Sequence, residues 1–430
     1  MSSKNKANST TEAATPALVP KLRFPEFRGA EGWTPEAGDS LFDQINDRNP
    51  QPGLPVLAIT QDQGAIPRHM IAYHVSVTEK SIESYKVVRV SDFIISLRSF
   101  QGGIEYSCYH GICNPAYVIL RRRGEGSDEY FRHYLKTDRF IRILTKNLEG
   151  LRDGKMISYA QFSELMLPVP KTAEQQNIAE CLSSVDELIA AQARKVDALK
   201  THKKGLMQQL FPREGETQLR LRFPDFKNAG NWEIKRIDEW GHVLAGKALA
   251  INAPTPLRPY LRTKNVMDGA IDLSDVLTMP MTDSEFSRFE ILDGDVLLNE
   301  GQSLQLVGRA SIYRGELGHR CAIQNQLLRF RAYPSTCPEF AAQAFRQCQK
   351  DGTFASIATQ TTSVAHLGSS RFSALAVTWP PSLGEQQRIA SCLSSLDAVI
   401  TAEAQKLEAL KTHKKGLTQQ LFPAPEVVEA

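Results

Sequence analysis

Polar side chains that could hydrogen-bond nucleic-acid bases or phosphates are concentrated in two loop regions. Arginine pairs well with guanine edges, and glutamine or asparagine with adenine edges, while glycines let the backbone approach a ligand closely. The first region offers Arg98, Ser99, Gln101, Gly102, Gly103, Tyr106 and His110, and the second offers Asn299, Gln302, Gln305, Arg309, Arg320 and Gln324. Because polar loops are usually only solvated loops, the meaning of these residues depends on the rest of the chain.

Two short motifs resemble catalytic sites of nucleic-acid enzymes. Asn114-Pro115-Ala116-Tyr117 is similar to the motif with which adenine methyltransferases hold a flipped base, but the sequence has no suitably placed glycine-rich cofactor loop. We therefore interpret it as a turn that enters a strand. Pro224-Asp225 followed by Glu233-Ile234-Lys235 has the pattern of a metal-dependent nuclease, but its counterpart in the first half lacks the Glu-x-Lys part. Neither motif predicts catalysis.

The composition indicates an ordinary globular protein. The 430 residues are 42% hydrophobic and 23% charged, and 51 basic against 48 acidic side chains leave a net charge of only +3. So small an excess neither supports nor excludes a nucleic-acid partner, and any basic surface must come from local clustering. Seven cysteines without zinc-type spacing argue against a disulfide framework and predict no metal site.

The N-terminal segment lacks the features of a targeting sequence. Residues 1 to 19 are rich in Ser, Thr, Asn and Ala, and they have neither an apolar core nor an Arg-rich amphipathic pattern. No stretch of the chain approaches the roughly 20 apolar residues of a membrane span. We expect a disordered N-terminal tail and a cytoplasmic protein with no membrane partner.

The chain contains an internal repeat. Residues 174 to 212 and 385 to 423 match at 28 of 39 positions, at an offset of 211. A second repeat, at an offset of 199, places Leu22-Arg23-Phe24-Pro25 and Trp33 against Leu221-Arg222-Phe223-Pro224 and Trp232. The segments between these repeats have diverged. Near-identical segments are expected to meet the same kind of partner in both halves, whereas diverged segments are expected to meet different ligands.

Both copies of the longer repeat have the apolar spacing of a coiled-coil helix. Apolar residues separated by three and four positions include Ile178, Leu182, Val185 and Ile189 in the first copy and Ile389, Leu393, Leu396 and Ile400 in the second. Flanking prolines limit each helix to about 38 residues, or roughly 57 Å. Because so long a helix with a 3.5-residue period seldom stays inside a globular core, we predict that the two helices pair with each other. We expect antiparallel pairing, because each globular segment precedes its helix and a pseudo-twofold arrangement would put the two segments at opposite ends of the helix pair. Packing inside one core is the alternative.

The diverged segments combine strand and helix signals. The β-rich runs are 85 to 90, 93 to 97, 116 to 120, 295 to 298 and 326 to 330, and the helical runs are 128 to 144 and 338 to 350. The predicted fold class is α+β, with two globular domains, each with a curved sheet, joined by two long helices in an antiparallel coiled coil and related by a pseudo-twofold repeat. The predicted boundaries are a tail at 1 to 19, a domain at 20 to 170, a helix at 171 to 212, a linker at 213 to 218, a domain at 219 to 381, a helix at 382 to 423 and an acidic tail at 424 to 430.

These features together resemble the specificity subunits of type I restriction-modification systems. The similarity rests on the entry to each long helix, LPVPKTAEQQNIAECL from Leu167 and WPPSLGEQQRIASCL from Trp379, and on the closing KKGLMQQLFP and KKGLTQQLFP. It also rests on the stretch from Ile95 to Ser107 in the first loop region. The resemblance covers nearly the whole chain after the N-terminal tail.

The resemblance implies two target-recognition domains, each of which reads one half of a bipartite site in double-stranded DNA. It also implies that the helices bind two methyltransferase subunits, which use S-adenosylmethionine, and that motor-nuclease subunits, which use ATP and Mg, can join. The chain itself would then have no catalytic residue and no cofactor. The expected docking residues on the helices are Gln175, Ile178, Leu182, Val185, Ile189, Gln386, Ile389, Leu393, Leu396 and Ile400.

Two other functions are open to this sequence. One is a nuclease or methyltransferase that acts alone, which the missing motifs disfavour. The other is a coiled-coil scaffold that binds only protein, which the presence of two large, diverged domains disfavours.

Overall fold

The computed structural model describes residues 18–71, 84–146, 157–212, 216, 220–249, 255–360 and 363–423. Residues 1 to 17 of the predicted tail, most of the predicted linker at 213 to 218 and the acidic tail at 424 to 430 lie outside the described residues. The chain forms two compact units. Unit 1 comprises Met1–Ala193 and Gln405–Ala430, and unit 2 comprises Arg194–Ala404.

Unit 1 contains a mixed helix and sheet domain. Its strands are β1 (Thr34–Ala37), β2 (Phe42–Ile45), β3 (Leu57–Thr60), β4 (Gly64–Pro67), β5 (Lys86–Val88), β6 (Phe93–Ile95), β7 (Glu105–Tyr106), β8 (Gly111–Cys113), β9 (Val118–Arg122) and β10 (Met166–Val169). Its short helices are α1 (Gly38–Leu41), α2 (Ser99–Gly102), α3 (Asp128–Tyr134), α4 (Asp138–Lys146) and α5 (Tyr159–Ser163), with 3-10 turns at Pro25–Phe27 and Arg68–Met70. The order β2-β9-β6-β7 forms an antiparallel sheet, and β1 pairs with β10, β3 with β4 and β5 with β8.

Unit 2 repeats this scheme with additional strands. Its strands are β11 (Glu233–Arg236), β12 (Gly241–Ala245), β13 (Leu257–Leu261), β14 (Leu277–Pro280), β15 (Val296–Asn299), β16 (Gly301–Gln302), β17 (Ala310–Ile312), β18 (Ala322–Ile323), β19 (Leu327–Ala332), β20 (Thr359–Gln360), β21 (Ala365–His366) and β22 (Ala376–Trp379). Its short helices are α6 (Ile237–Trp240), α7 (Asp283–Phe289), α8 (Pro338–Lys350), α9 (Thr353–Ile357) and α10 (Ser369–Ala374), with 3-10 turns at Pro224–Phe226 and Thr263–Asn265. The sheet orders are β12-β19-β15-β17, β14-β13-β18, β16-β21-β20 and β11-β22.

The central strands of both main sheets are buried on both faces. In β6, Phe93 and Ile95 belong to the main core of unit 1, and Ile94 belongs to a separate cluster on the opposite face. In β15, Leu298 lies in the main core of unit 2 and Leu297 in a separate cluster. Successive side chains of a strand point to opposite faces, so a continuous apolar run is what a strand covered on both sides requires. The predicted mixture of helices and sheets and the twofold repeat are confirmed, although the strands form several small sheets.

One predicted helix is interrupted. The run from 128 to 144 forms two helices, α3 and α4, because Thr137 starts a new helix between them. The Thr137 hydroxyl accepts a hydrogen bond from the amide of Phe140 at 3.1 Å, which is an N-cap interaction. The equivalent run in unit 2 is one continuous helix, Pro338–Lys350.

Two helices of 39 residues, the first long helix (Thr172–Leu210) and the second long helix (Leu383–Leu421), contribute to both units. In unit 2, Lys195 pairs with Glu403 and Lys203 pairs with Asp397, each at 2.6 Å. As the residue numbers increase from 195 to 203 on the first long helix, those of the partners decrease from 403 to 397 on the second, so these two segments run in opposite directions. In unit 1, Lys414 pairs with Asp186 at 2.6 Å. The boundary between the two units falls within both long helices, and each predicted globular domain lies within one unit.

A buried ion pair, the clamp, joins the start of each globular domain to the long helix that follows it. In unit 1 the Arg23 guanidinium donates to both oxygens of Glu174 at 2.7 Å, and in unit 2 Arg222 donates to both oxygens of Glu385 at 2.7 Å. The hydrogen bond that Arg23 donates to Glu174 raises the pKa of the Arg23 guanidinium. The remaining donors of Arg23 bond to the carbonyl oxygens of Ala30 and Glu31. Four of the five N–H groups of Arg23 thus have acceptors within unit 1.

The main core of each unit contains a cluster of aromatic side chains. In unit 1, Trp33 lies 6.0 Å from Tyr130 and 6.4 Å from Phe422 between ring centroids. In unit 2, Trp232 lies 6.2 Å from Phe340 and 6.5 Å from Phe211. The phenylalanine that ends one long helix therefore packs in the domain that precedes the other long helix.

Removing one side of the clamp should destabilise its unit. Replacing Arg23 with alanine leaves the Glu174 carboxylate buried, with side-chain exposure of 2%. We expect a loss of roughly 3 to 5 kcal/mol in unfolding free energy, because an unpaired buried charge is costly. Hydrogen-exchange mass spectrometry can locate the loss in unit 1.

The control is the double variant Arg23→Met with Glu174→Met, which removes both charges and keeps apolar volume. It should recover most of the stability, because apolar replacement of a whole buried pair is often neutral. A double variant as unstable as the sum of the two single variants would contradict this account.

Candidate nucleic-acid interface

The first candidate loop, residues 96 to 103, connects β6 to the region of β7 and is shaped by its own hydrogen bonds. The Ser99 hydroxyl accepts a hydrogen bond from the amide of Ser96 at 2.9 Å, and Ser99 begins helix α2. Ser99 is buried. It therefore supports the loop from inside and does not face outward.

The two glycines of this loop allow it to pack closely against its own domain. Gly103 has a φ of 79°, and a Cβ at this position would lie 2.2 Å from the carbonyl oxygen of Leu135. A Cβ at Gly102 would lie 2.9 Å from the side chain of Gln61. The glycines are thus explained by internal packing, without a ligand.

Arg98 and Gln101 are the exposed polar side chains of the loop. Neither side chain has a hydrogen bond or ion pair to any residue in the described part of the chain. Gln101 lies on the short helix α2, and Arg98 directly precedes this helix, in a segment whose backbone is held by the Ser96 and Ser99 hydroxyls. The arrangement presents one guanidinium and one amide on a fixed support.

Tyr106 and His110 differ in their surroundings. The Tyr106 hydroxyl lies 3.1 Å from the Ser91 hydroxyl, and the Arg132 guanidinium lies 5.2 Å from the Tyr106 ring centroid. Burial raises the pKa of Tyr106, so its hydroxyl remains neutral. His110 is exposed.

In unit 2 the candidate Asn299 ends β15 and is fully buried. Its side-chain amide donates to the carbonyl oxygen of Val266 at 3.3 Å. A fully buried amide cannot reach a ligand without rearrangement, and Asn299 therefore has an internal role in supporting the second loop.

Arg320 is exposed but has an internal partner. Its guanidinium donates to both carboxylate oxygens of Glu290, at 2.6 and 2.9 Å, and lies 4.7 Å from the ring centroid of Phe286. These hydrogen bonds raise the pKa of Arg320 and lower the pKa of Glu290, which keeps both groups charged. Of the other candidates, Gln305 is exposed, and Gln302, Arg309 and Gln324 are half-buried.

A polar cavity of about 430 Å³ in unit 2 contains residues that the sequence did not single out. Its polar lining residues include Glu300, Asn325, Gln326, His366, Ser369, Ser370 and Arg371. His366 Nδ1 lies 3.0 Å from a Glu300 oxygen. Asn325 and Gln326 directly follow the candidate Gln324 in the sequence, and this proximity was the one sequence signal for these cavity residues. Residues 366 to 371 are distant in the sequence and reach the cavity only through tertiary folding.

The expected docking residues of the long helices fall into two groups. Gln175, Ile178, Leu182, Gln386, Ile389 and Leu393 are buried, and Val185, Ile189, Leu396 and Ile400 are half-buried. Gln175 accepts a hydrogen bond from the amide of Ser127, and Gln386 accepts one from the amide of Cys337. The buried group thus holds each helix to the globular domain that precedes it.

The two motifs that resemble catalytic sites have structural roles in this fold. Asn114 forms a turn in which its side chain accepts a hydrogen bond from the amide of Ala116 at 2.9 Å, directly before β9. Lys235 pairs with Glu233 and lies 4.9 Å from the Trp240 ring centroid. Within the described residues no group of three or more His, Cys, Asp or Glu side chains could hold a metal ion. No helix in those same ranges has the length and apolar character for crossing a membrane.

The fold and the loops define a protein with two repeated units, each with one polar loop beside its main sheet. The family model "Type I restriction modification DNA specificity domain" matches residues 43–201 and 230–412. The chain belongs to this family, the specificity subunits of type I restriction-modification systems.

Relatives and solved structures show the extent of the similarity. The MjaVIII specificity subunit of Methanocaldococcus jannaschii is 26% identical over 181 residues, which cover 40% of each chain. The EcoKI specificity subunit of Escherichia coli K12 is 23% identical over 255 residues, which cover 55% of this chain and 50% of the relative. The matched region thus spans half or less of these relatives.

Two solved structures share the fold at low sequence identity. The type I restriction-modification S subunit from M. genitalium has a TM-score of 0.54 at 15% identity, covering 95% of this chain and 100% of the other. A chain from a study of complex assembly and conformational transition of the type I R-M system has a TM-score of 0.53 at 14% identity, covering 95% and 98%.

Gly103 and Gly124 provide a matched test of loop packing. Both have positive φ, at 79° and 72°, but a Cβ at Gly124 would meet nothing within 4 Å. Gly124→Ala should therefore cost only the left-handed backbone strain, roughly 1 to 2 kcal/mol. Gly103→Ala should cost at least about 1 kcal/mol more, because the ψ of -163° at Gly103 lies in a region that is essentially limited to glycine and because backbone atoms must also move.

Urea unfolding of the two variants measures this difference. Equal losses of stability in Gly103→Ala and Gly124→Ala would show that the loop does not pack against Leu135 as described.

Proposed function

We propose that this protein is the non-catalytic, sequence-specific DNA-binding subunit of a type I restriction-modification enzyme. Each unit would read one half of a bipartite site in double-stranded DNA. The observation that carries this proposal is a contrast between the units. The clamp, the aromatic cluster and the main sheet recur in both, whereas the exposed polar residues of the loops differ. A shared fold with different loop residues suits two domains that recognise two different DNA sequences.

The first loop has the chemistry for direct reading of bases. Arg98 can donate two hydrogen bonds to a guanine edge, and Gln101 can donate and accept at an adenine edge. Both are exposed next to a rigid strand. In unit 2, the exposed Gln305 and the half-buried Arg309 offer the same chemistry in another arrangement. Different arrangements would select different base sequences.

We further propose that the two long helices form an antiparallel coiled coil and that methyltransferase subunits dock on it. The opposed ion pairs described for unit 2 support antiparallel pairing. Since most of the expected docking residues are turned inward, exposed residues that are identical in both helices are better candidates for the contact. They include Gln176, Ser184, Ala191 and Ala198, with their copies Gln387, Ser395, Ala402 and Ala409.

In this proposal the chemistry belongs to the partner subunits. S-adenosylmethionine would be bound by two methyltransferase subunits, and ATP and Mg by motor-nuclease subunits. The specificity subunit would contribute DNA contacts and a docking surface, and it would work in the cytoplasm, where the host DNA lies.

Substitutions in the first loop should alter sequence preference. Arg98→Ala and Gln101→Ala should each reduce discrimination at one half-site by about 1 to 3 kcal/mol per lost bidentate contact. Binding to duplexes that carry single base changes in the methylated motif of the host genome measures this loss. Arg28→Ala, which removes an exposed arginine outside the loop, should leave the preference unchanged. If Arg98→Ala weakens binding to every duplex equally, Arg98 contacts phosphate and not a base.

Exchange of one recognition domain should change one half-site. The ribbons β1–β10 and β11–β22 are natural junctions, because each brings the two ends of a recognition domain side by side. Replacing residues 38 to 165 with the same region of a relative keeps Arg23, Trp33 and Glu174. The methylated motif in cells should then keep one half-site and gain a new one.

The matched exchange is residues 237 to 375, which should change the other half-site. If either exchange altered both half-sites, the units would not read independently.

A further inference from the structure

Unit 1 contains a cleft of about 680 Å³ that extends from strand β7 and the turn at residues 61 to 64 to the end of the second long helix. Gln61 and Tyr106 line it on the sheet side, and Lys411 and Lys415 line it on the helix side. All of its lining residues belong to unit 1. A cavity of this size can accept a segment as large as a nucleotide.

The lining of the cleft is basic. It contains seven Lys or Arg side chains and four Asp or Glu side chains. Three of the carboxylates already have cationic partners, since Glu105 pairs with Lys136 at 2.6 Å, Asp186 with Lys414 at 2.6 Å and Asp138 with Lys415 at 3.9 Å. The lining of the cleft therefore has an excess of positive side chains, although the chain as a whole is nearly neutral.

Arg139 is the cation in this cleft whose internal partners are missing. Its Nε and Nη1 atoms are buried, and neither has a hydrogen-bond partner in the described part of the chain. Burial lowers the pKa of Arg139, and only the neighbouring Tyr134 and Tyr130 hydroxyls oppose this effect. The Arg139 side chain as a whole is half-buried and lines the cleft, so it is not shut off from a ligand as Asn299 is. A guanidinium whose donors lack acceptors is costly, and a ligand with anionic oxygens would supply the missing acceptors. Arg142 also lines the cleft, where its Nε donates to the carbonyl oxygen of Asp138 at 3.3 Å.

Unit 2 has no such group at the equivalent position. Tyr130 and Phe340 occupy matching places in the aromatic clusters, an offset of 210, which aligns Arg139 with Gln349. The Gln349 amide donates to the carbonyl oxygen of Gln305 at 2.6 Å. A neutral side chain with an internal acceptor replaces an unsatisfied cation, so the basic cleft is a property of unit 1 and not of the repeated frame.

We propose that this cleft binds a phosphate of the DNA backbone beside the first half-site, with Arg139 as the principal ligand and Arg142 as a second. This inference rests on the proposed function, because Tyr106, one of the residues expected to contact DNA, lines the cleft. Phosphate oxygens match the fork of guanidinium donors, and phosphate contacts position a protein on DNA without reading sequence. Unit 1 would thus be anchored more strongly than unit 2.

The test compares the full chain with Arg139→Gln, Arg142→Gln and the control Arg28→Gln, which removes an exposed arginine outside the cleft. The probes are two duplexes, one with the methylated motif of the host genome and one with that motif scrambled. Arg139→Gln should weaken binding on the order of three- to tenfold on both duplexes and reduce the slope of log affinity against log salt by about 1. Arg142→Gln should act in the same direction. Arg28→Gln should leave the slope within error of the wild type.

Thermal unfolding separates binding from folding. Arg139→Gln should unfold at the same or a higher temperature, because the substitution removes an unsatisfied buried charge. A wild-type slope in both cleft variants, or an equal effect in Arg28→Gln, would overturn the phosphate site. Loss of methyltransferase binding with an unchanged DNA salt slope would also overturn it and assign the cleft to a protein partner. Failure of the proposed function is distinct, since the wild-type chain would then not distinguish the two duplexes.

Discussion

The bidentate pairing of an arginine before each recognition domain with a glutamate at the start of the following helix is the interaction on which each unit depends. Arg23 and Glu174 are 151 positions apart, and both side chains are nearly excluded from water. Two such charges tolerate burial only while they face each other and their remaining donors are satisfied. The pair therefore fixes the direction in which the helix leaves the domain, and the same geometry recurs at Arg222 and Glu385.

That fixed direction makes each unit dependent on both long helices. The core of unit 1 includes Leu421 and Phe422 from the end of the second long helix, and the core of unit 2 includes Leu210 and Phe211 from the end of the first. Neither core is complete within one continuous stretch of sequence. This dependence accounts for the near-identity of the two helices, because each has to supply both a start and an end to the same kind of core.

The sequence predicted the repeats, the long helices and the mixed domains, since these follow from periodicity and internal similarity. It identified exposed candidates such as Arg98 and Gln101 from residue type. It could not distinguish them from Ser99 and Asn299, whose polar groups are used internally. Nor could it explain Lys203 and Lys414 within their Thr-His-Lys-Lys runs, because their partners Asp397 and Asp186 become neighbours only when the helices run antiparallel.

Divergence of the loops is possible because the strands beneath them are held by a separate repeated pair. Asp92, just before β6, accepts two hydrogen bonds from Arg121 in β9, and Asp295, just before β15, accepts two from Arg331 in β19. Both carboxylates are buried, and each also accepts a hydrogen bond from a nearby backbone amide. The strand that leads into each loop is therefore fixed by residues outside the loop. Loop side chains can change without loss of that support, so the contact chemistry of each unit can vary while its frame is retained.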